Sequence, residues 1–451
     1  MGSESTSFTT QEKNHANAHN YFVAPKARRL RRRWPFGCVG SRASPDLPEN
    51  QITNHTPKRL SVVVDRSGSM SGNPLNEALR CVMHIAKHLT PNDQMSLVVY
   101  DEDVDVLVPL KPMTLVSEIE QAVEQVVSGG MTNLFGGWKA GAEQLEGSDN
   151  QTISRVLLLS DGQANRGETQ IDRIEAHCKA WADKGVSTTT IGLGRNFNED
   201  LMLAMARAGG GQQYYGQTAE DLYDNFEEEL SLLQAMYLRQ ISLKLIPARG
   251  VIVELLNTTA TNPDGTYKMN ELAWGSESWL GFRLHISPSI AGSVRDLLAV
   301  SFTGVDLQGQ ALSQSGPMLQ LPVVEASAFA RMPEEELAQR RLLELEFGKA
   351  SQELRTLAKA GDAAAAKRLM AQMEERFGGH AWLKAKLEQL HRLAEEDMEM
   401  MIKEVGFTAY RMSNRLVSKQ EMNYMSDETE SNMPSFLRKK ESEGRGRRNQ
   451  K

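Results

Sequence analysis

Three oxygen-bearing side chains stand at alternate positions in "RLSVVVDRSGSM", residues 59–70: Asp65, Ser67 and Ser69. They follow a run of β-branched residues that reads as a buried strand, so they fall on the loop leaving its carboxyl end. Residues i, i+2 and i+4 of an extended loop can point to one side. Carboxylates and hydroxyls are hard ligands suited to Mg2+, which wants six oxygens in near-octahedral geometry and usually keeps some of its waters. Two later stretches offer oxygens of the same kind. "SGGMTNLFGG" sets Thr132 after a glycine pair and just ahead of a helix, and "VLLLSDGQANRG" sets Asp161 at the end of another apolar strand. If the two strands run parallel, all five groups belong to one edge of a sheet, the edge at which open α/β sheets bind ligands. A plainer reading makes the Asp-Ser loop a helix cap, through Ser69 or Asn73. That reading does not account for Thr132 and Asp161.

The elements that must position these residues are legible as a pattern. Residues 58–235 alternate continuous apolar strands ("LSVVVD", "QMSLVVYD", "ISRVLLLSD", "GVSTTTIGLG") with amphipathic helices such as "NPLNEALRCVMHIAKHL". Such alternation predicts an α/β fold, a doubly wound and mostly parallel sheet covered on both faces. Residues 236–325 switch to strands joined by Pro, Gly, Asn and Asp with no helical pattern between them, which predicts a small antiparallel β-sandwich. Residues 333–405 read as a helical domain. Its first helix ends at Gly361, its second starts with Asp362 as N-cap, and "AWLKAKLEQLHRLAEEDMEMMIKEV" reads as one long third helix. The layout resembles one tetratricopeptide-type unit plus a long helix, and so small a unit is expected to pack on the sandwich or on a partner. Residues 1–57 and 425–451 are polar, basic in places and without sustained periodicity, and are expected to be disordered.

The "DRSGSM" loop is the DxSxS pattern of the von Willebrand factor A-type domain, and "GGMTNL" and "LLSDGQ" are similar to that family's other two metal-site segments, in the same order. Together with the strands and helices that follow, the chain resembles calcium-activated-chloride-channel-like and inter-alpha-trypsin-inhibitor-heavy-chain-like proteins. The resemblance implies a Rossmann-like domain over residues 58–235 with a metal-ion-dependent adhesion site. It also implies roles: Ser67 and Ser69 bind the ion directly, Thr132 directly or through water, and Asp65 and Asp161 mostly through water. The ion would be Mg2+, with Mn2+ or Ca2+ as alternatives, and an Asp or Glu of a partner protein would complete the shell. The alternative function is a metal-independent scaffold that recruits partners through the helical C-terminal region.

Composition narrows the classes further. A formal net charge of -7 over 451 residues argues against bulk binding of nucleic acid. No apolar run approaches the roughly 18 to 20 residues that span a bilayer, so no transmembrane segment is expected. "RRLRRRWPFGCVG" has too short an apolar part for a secretion signal, and a cytoplasmic location is the resulting expectation. "MGSEST" fits the loose myristoylation pattern through Gly2 and Thr6. Cys38, Cys81 and Cys178 are too far apart for a metal-ligand spacing, and the last two read as core thiols. There is no H-E-x-x-H and no Walker A loop, so no zinc protease or P-loop enzyme is expected. A Mg2+-activated hydrolase would need more charged ligands and a general base. His84 and His88 lack a visible third ligand, "DEDVD" (Asp101–Asp105) reads as a solvated turn, and the methionines from Met398 onward read as core filler.

Overall fold

The computed structural model describes residues 19–23, 36–42, 56–414 and 417–418, apart from 150, 162–163, 194–196, 217–220, 258–260, 274–275, 288–291, 307, 330 and 332–335. The first finding corrects an expectation. The segment before residue 58, expected to be disordered, contributes two strands, β1 (His19–Val23) and β2 (Phe36–Arg42). They pair with each other and, through β2, with a strand more than 230 residues further on, a partnership that local periodicity cannot reveal. The remainder of residues 1–57 and the tail 425–451 lie outside the described residues.

The α/β domain follows. Its elements are β3 (Lys58–Asp65), α1 (Asn73–His88), β4 (Gln94–Tyr100), β5 (Val104–Pro112), α2 (Val116–Glu124), α3 (Leu134–Gln144), β6 (Ile153–Ser160), α4 (Ile171–Asp183), β7 (Val186–Leu193), α5 (Glu199–Gly209), β8 (Gly210–Gly216) and α6 (Asp221–Gln234). The sheet order is β5-β4-β3-β6-β7-β8, parallel except for the β4–β5 hairpin at one edge. Strand alternation sends Leu60, Val62 and Val64 into one core with α1, α2 and α6 residues, and Val63 into another with α3, α4 and α5 residues. This double burial is why the strands read as unbroken apolar runs. Cys81 and Cys178 are both core thiols, and burial pushes both up, Cys81 to about 12.

Directly after α6 the chain enters the sandwich: β9 (Met236–Pro247), β10 (Val251–Leu255), β11 (Tyr267–Lys268), β12 (Leu272–Ala273), β13 (Ser276–Ile286), β14 (Val294–Val305), β15 (Ala311–Ser315) and β16 (Leu319–Pro322). One sheet runs β1-β2-β13-β10 and the other β11-β9-β14-β15, and Leu243, Phe282, Leu284, Leu298 and Val300 meet between them.

A short α7 (Ala326–Phe329) precedes the helices α8 (Glu336–Lys359), α9 (Ala363–Phe377), α10 (Ala381–Glu396) and α11 (Met398–Asn414), and β17 (Val417–Ser418) returns to β13. Asp362 caps α9 as expected, accepting from Ala365 N at 2.9 Å. The expected long third helix is instead two. Asp397 adopts an extended conformation (φ -156°), so α10 ends and α11 begins there, and the helical domain runs to Asn414 rather than 405. Met401 is buried in the helical core and Met412 packs against it, as core filler should, whereas Met398 is exposed.

The helices close the assembly. Trp279 of β13 and Leu256 form a cluster with Leu342 and Leu345 of α8. Lys403 of α11 reaches Phe197 O at 3.5 Å before α5, and Tyr410 donates to Gly211 O at 3.1 Å in β8. So α11 is tied to the α/β domain at the start of α5 and at one backbone carbonyl of β8, the edge strand at that side of the parallel sheet. Among the described residues no helix is long and apolar enough to cross a membrane.

Candidate functional site

The three stretches meet at the carboxyl edge of the parallel sheet. Asp65 is the last residue of β3 and is fully buried. Its Oδ1 accepts from Ser67 N at 2.8 Å and its Oδ2 from Ser160 Oγ at 2.6 Å. The loop beyond is not extended as expected. Gly68–Met70 form a 3-10 turn, and Met70 is fully buried in the core, which anchors the loop from below. Convergence therefore comes from the turn rather than from strand-like alternation. Ser67 Oγ and Ser69 Oγ lie 3.2 Å apart, and Ser69 Oγ donates to Asp161 Oδ1 at 2.9 Å. The capping explanation fails: α1 has Gly72 as its N-cap and receives no side-chain cap.

Thr132 is brought in by backbone bonds. Gly129 N donates to Arg66 O at 2.9 Å and Gly68 N to Gly130 O at 3.3 Å, which ties its loop to the serine loop. Thr132 N donates to Asn165 Oδ1 at 2.9 Å, while Thr132 O accepts from Asn165 N (3.1 Å) and Arg166 N (3.3 Å), which ties it to the Asp161 loop. The next residue, Asn133, caps α3 by accepting from Gly136 N at 3.1 Å. Helix α3 can sit this close because it turns glycines to the sheet. A Cβ on Gly141 would lie 2.3 Å from Val63 Cγ2, and one on Gly137 2.4 Å from Tyr100 Cδ1.

The electrostatics are unusual for a buried cluster. Burial pushes the Asp65 carboxyl up, against the hydrogen bonds of Ser160, Ser67 and Tyr100 that pull it down. Asp161 is pushed up to about 6, chiefly by burial; the Ser69 bond opposes this and the charge of Asp65 adds to it. Neither carboxylate has an ion-pair partner among the described residues. Arg66, the nearest cation in sequence, is engaged elsewhere, with Asp101 at 3.3 Å and Asp105 at 2.6 Å. That also gives two members of the "DEDVD" turn a structural role. One buried and one half-buried acid beside three hydroxyls, with no ion-pair partner among the described residues, fit a hard divalent cation. Among the described residues no three His, Cys, Asp or Glu side chains form a metal cluster, which is consistent with a donor set that is mostly hydroxyl.

Four supporting residues were not singled out from sequence: Ser160, Tyr100, Asn133 and Asn165. Ser160 had a usable signal, since it interrupts an apolar strand one residue before Asp161. His84 and His88 stack on each other (ring centroids 4.1 Å apart), and His84 also stacks on Tyr223, remote in sequence from the site loops.

Residues 60–229 match the von Willebrand factor type A domain. The chain thus carries such a domain, which in general is a protein-interaction module and often depends on a divalent metal. Inter-alpha-trypsin inhibitor heavy chain H3 of Mus musculus is 26% identical over 226 residues, covering 48% of this chain and 23% of its own length. An uncharacterised protein of Synechocystis is 24% identical over 172 residues, 38% of this chain and 40% of its own. The chain thus matches less than half the length of either relative. A solved von Willebrand factor type A structure from Catenulispora acidiphila shares the fold over 88% of this chain and 98% of its own, with a TM-score of 0.66 at 16% identity.

Proposed function

We propose that this domain captures an acidic side chain of a partner protein through a Mg2+ ion, with Mn2+ or Ca2+ as alternatives. The ion would be held by Ser67, Ser69 and Thr132, with Asp65 and Asp161 behind them. The observation that carries this reading is that the buried Asp65 carboxylate and the half-buried Asp161 carboxylate have no ion-pair partner among the described residues. An ion held largely by neutral hydroxyls keeps much of its positive charge, so an incoming Asp or Glu gains strongly by completing the shell. The residues of this chain would supply the cradle and hold its loops in register.

Titration calorimetry with MgCl2 and MnCl2 tests it. Heat of binding in the wild type, lost in Asp161→Ala and Ser67→Ala, is the expected result, and no heat with either ion overturns the reading. The competing reading, metal-independent recruitment through the helices, predicts partner capture that survives both EDTA and Asp161→Ala. Against it stands the packing of α8 and α11 on the sandwich and on the α/β domain, which engages their faces within the chain.

A further inference from the structure

The rim of this site is as informative as its floor. Val127 is 72% exposed and Met131 43% exposed, large apolar side chains on the very loop that carries Thr132. That loop is no loose tether, since Gly129 and Gly130 are bonded to the serine loop at 2.9 and 3.3 Å. Two bulky apolar groups are thus held out to solvent beside the candidate ion position. On the Asp161 loop, the backbone of Arg166 is bonded to the carbonyl of Thr132 at 3.3 Å. Its residue is exposed, and its guanidinium has no ion-pair partner among the described residues. The contrast with Arg66, engaged by two aspartates, is sharp. On the β4–β5 turn, which packs against Gly130 through Asp101, Glu102 and Asp103 are exposed acids.

We propose that this rim selects, among acidic ligands, a segment of a partner protein with three features in a row. A bulky apolar residue covers Met131 and Val127, an Asp or Glu meets the ion, and a second acid meets Arg166. This rests on the metal-dependent capture proposed above. Charge complementarity favours the second acid at Arg166 and disfavours it at Glu102 and Asp103. The apolar contact contributes regardless of salt, because it removes nonpolar surface from water. The Arg166 contact is exposed and weakens as salt rises.

The test pans a random linear peptide library against the full chain in MgCl2 and releases the bound peptides with EDTA. The selected peptides are expected to share an acid with an apolar neighbour on one side and an acid on the other. Arg166→Glu should replace the second acid by Lys or Arg, and should weaken a selected wild-type peptide by about tenfold at low salt and less at high salt. Met131→Gln should remove the apolar preference and weaken the same peptide to a similar degree at every salt concentration. Calorimetry with MnCl2 on each variant reports the ion separately, and both variants should keep it. A motif unchanged in Arg166→Glu and Met131→Gln overturns the proposal, as does a lone acid with no flanking preference or a metal-loaded protein that yields no EDTA-released peptide. If no variant and no wild type binds the ion, the capture reading itself fails and this proposal falls with it.

Discussion

The two ends of the parallel sheet both bury charge, and they treat it in opposite ways. Towards the amino ends, Arg155 of β6 is buried with a full set of partners: Glu229 of α6 at 2.6 Å, Glu271 of the sandwich, and Ser187 Oγ at 2.8 Å. Glu229 is satisfied in turn by Thr189 at 2.8 Å and Tyr214 at 3.0 Å. The network joins β6, β7, β8, α6 and the sandwich, and Arg239 adds a bond from β9 to Thr152 O. At the carboxyl ends, the buried Asp65 and the half-buried Asp161 have hydroxyl and backbone donors but no ion-pair partner among the described residues. A buried charge that the chain neutralises itself serves the fold. A buried charge left without its opposite serves something that arrives from outside.

That contrast is broken most forcefully at Glu229. Glu229→Ala leaves the buried Arg155 guanidinium with Glu271 as its one carboxylate besides the Ser187 hydroxyl, and removes the bonds that Thr189 and Tyr214 donate to Glu229. Removing one partner of a buried pair costs about 3–5 kcal/mol. The expected outcome is a large fall in the thermal midpoint measured in EDTA, with the MnCl2 heat retained by the protein that remains folded. An unchanged midpoint would show that the amino-end network is dispensable to the fold and would remove the contrast.

A smaller effect is expected where the helical domain meets the α/β domain. Arg355 of α8 pairs with Glu199 at 3.0 Å and Asp200 at 2.6 Å in the first turn of α5, and Lys359 engages the same two acids. The two acids sit at the positive end of the α5 dipole, so they are stabilised twice over. Arg355→Ala should cost about 1–2 kcal/mol, less than Glu229→Ala because Lys359 and the helix end remain. Limited proteolysis should then cut α8–α11 faster while ion binding stays unchanged. Loss of ion binding in this variant would mean that the clasp, although built on the carboxyl side, belongs to the site.

Much of the site was legible before any coordinates because its chemistry is carried by residue types at strand ends. Asp65, Ser67, Ser69, Thr132 and Asp161 interrupt apolar or glycine-rich stretches, and nothing about core packing explains them. The two-faced sheet was legible because continuous apolar strands have few other uses. The parts that were not legible depend on distance or on local competition. Strand β2 pairs Val39 with Leu280 across the chain, so no neighbouring residue announces it. The break at Asp397 lies between two stretches that are each helical in pattern, and only the extended backbone there reveals it. The extended loop expected after Asp65 gave way to a 3-10 turn because Met70 finds a place in the core. Ser160 could be seen as an oddity in its strand, but its bond to Asp65 needs the parallel register of β3 and β6.

The sharpest form of the comparison is the one with the smallest effect on stability. Asp65→Asn removes a buried charge that no cation among the described residues balances, in contrast to Glu229→Ala, which takes one of two carboxylates from a buried guanidinium. The asparagine keeps the shape and one acceptor, so either the bond from Ser67 N or that from Ser160 Oγ can persist. Losing the other is worth about 1 kcal/mol, and relief of the desolvated charge works in the opposite direction. The thermal midpoint in EDTA should therefore stay within about 1 kcal/mol of the wild type or rise. In excess MnCl2 the order should reverse. The wild type gains about 2.7 kcal/mol when the ion stands at a hundred times its dissociation constant, and the variant gains nothing. A variant that is destabilised in EDTA as severely as Glu229→Ala would place Asp65 among the residues that serve the fold, and the two ends of the sheet would no longer differ.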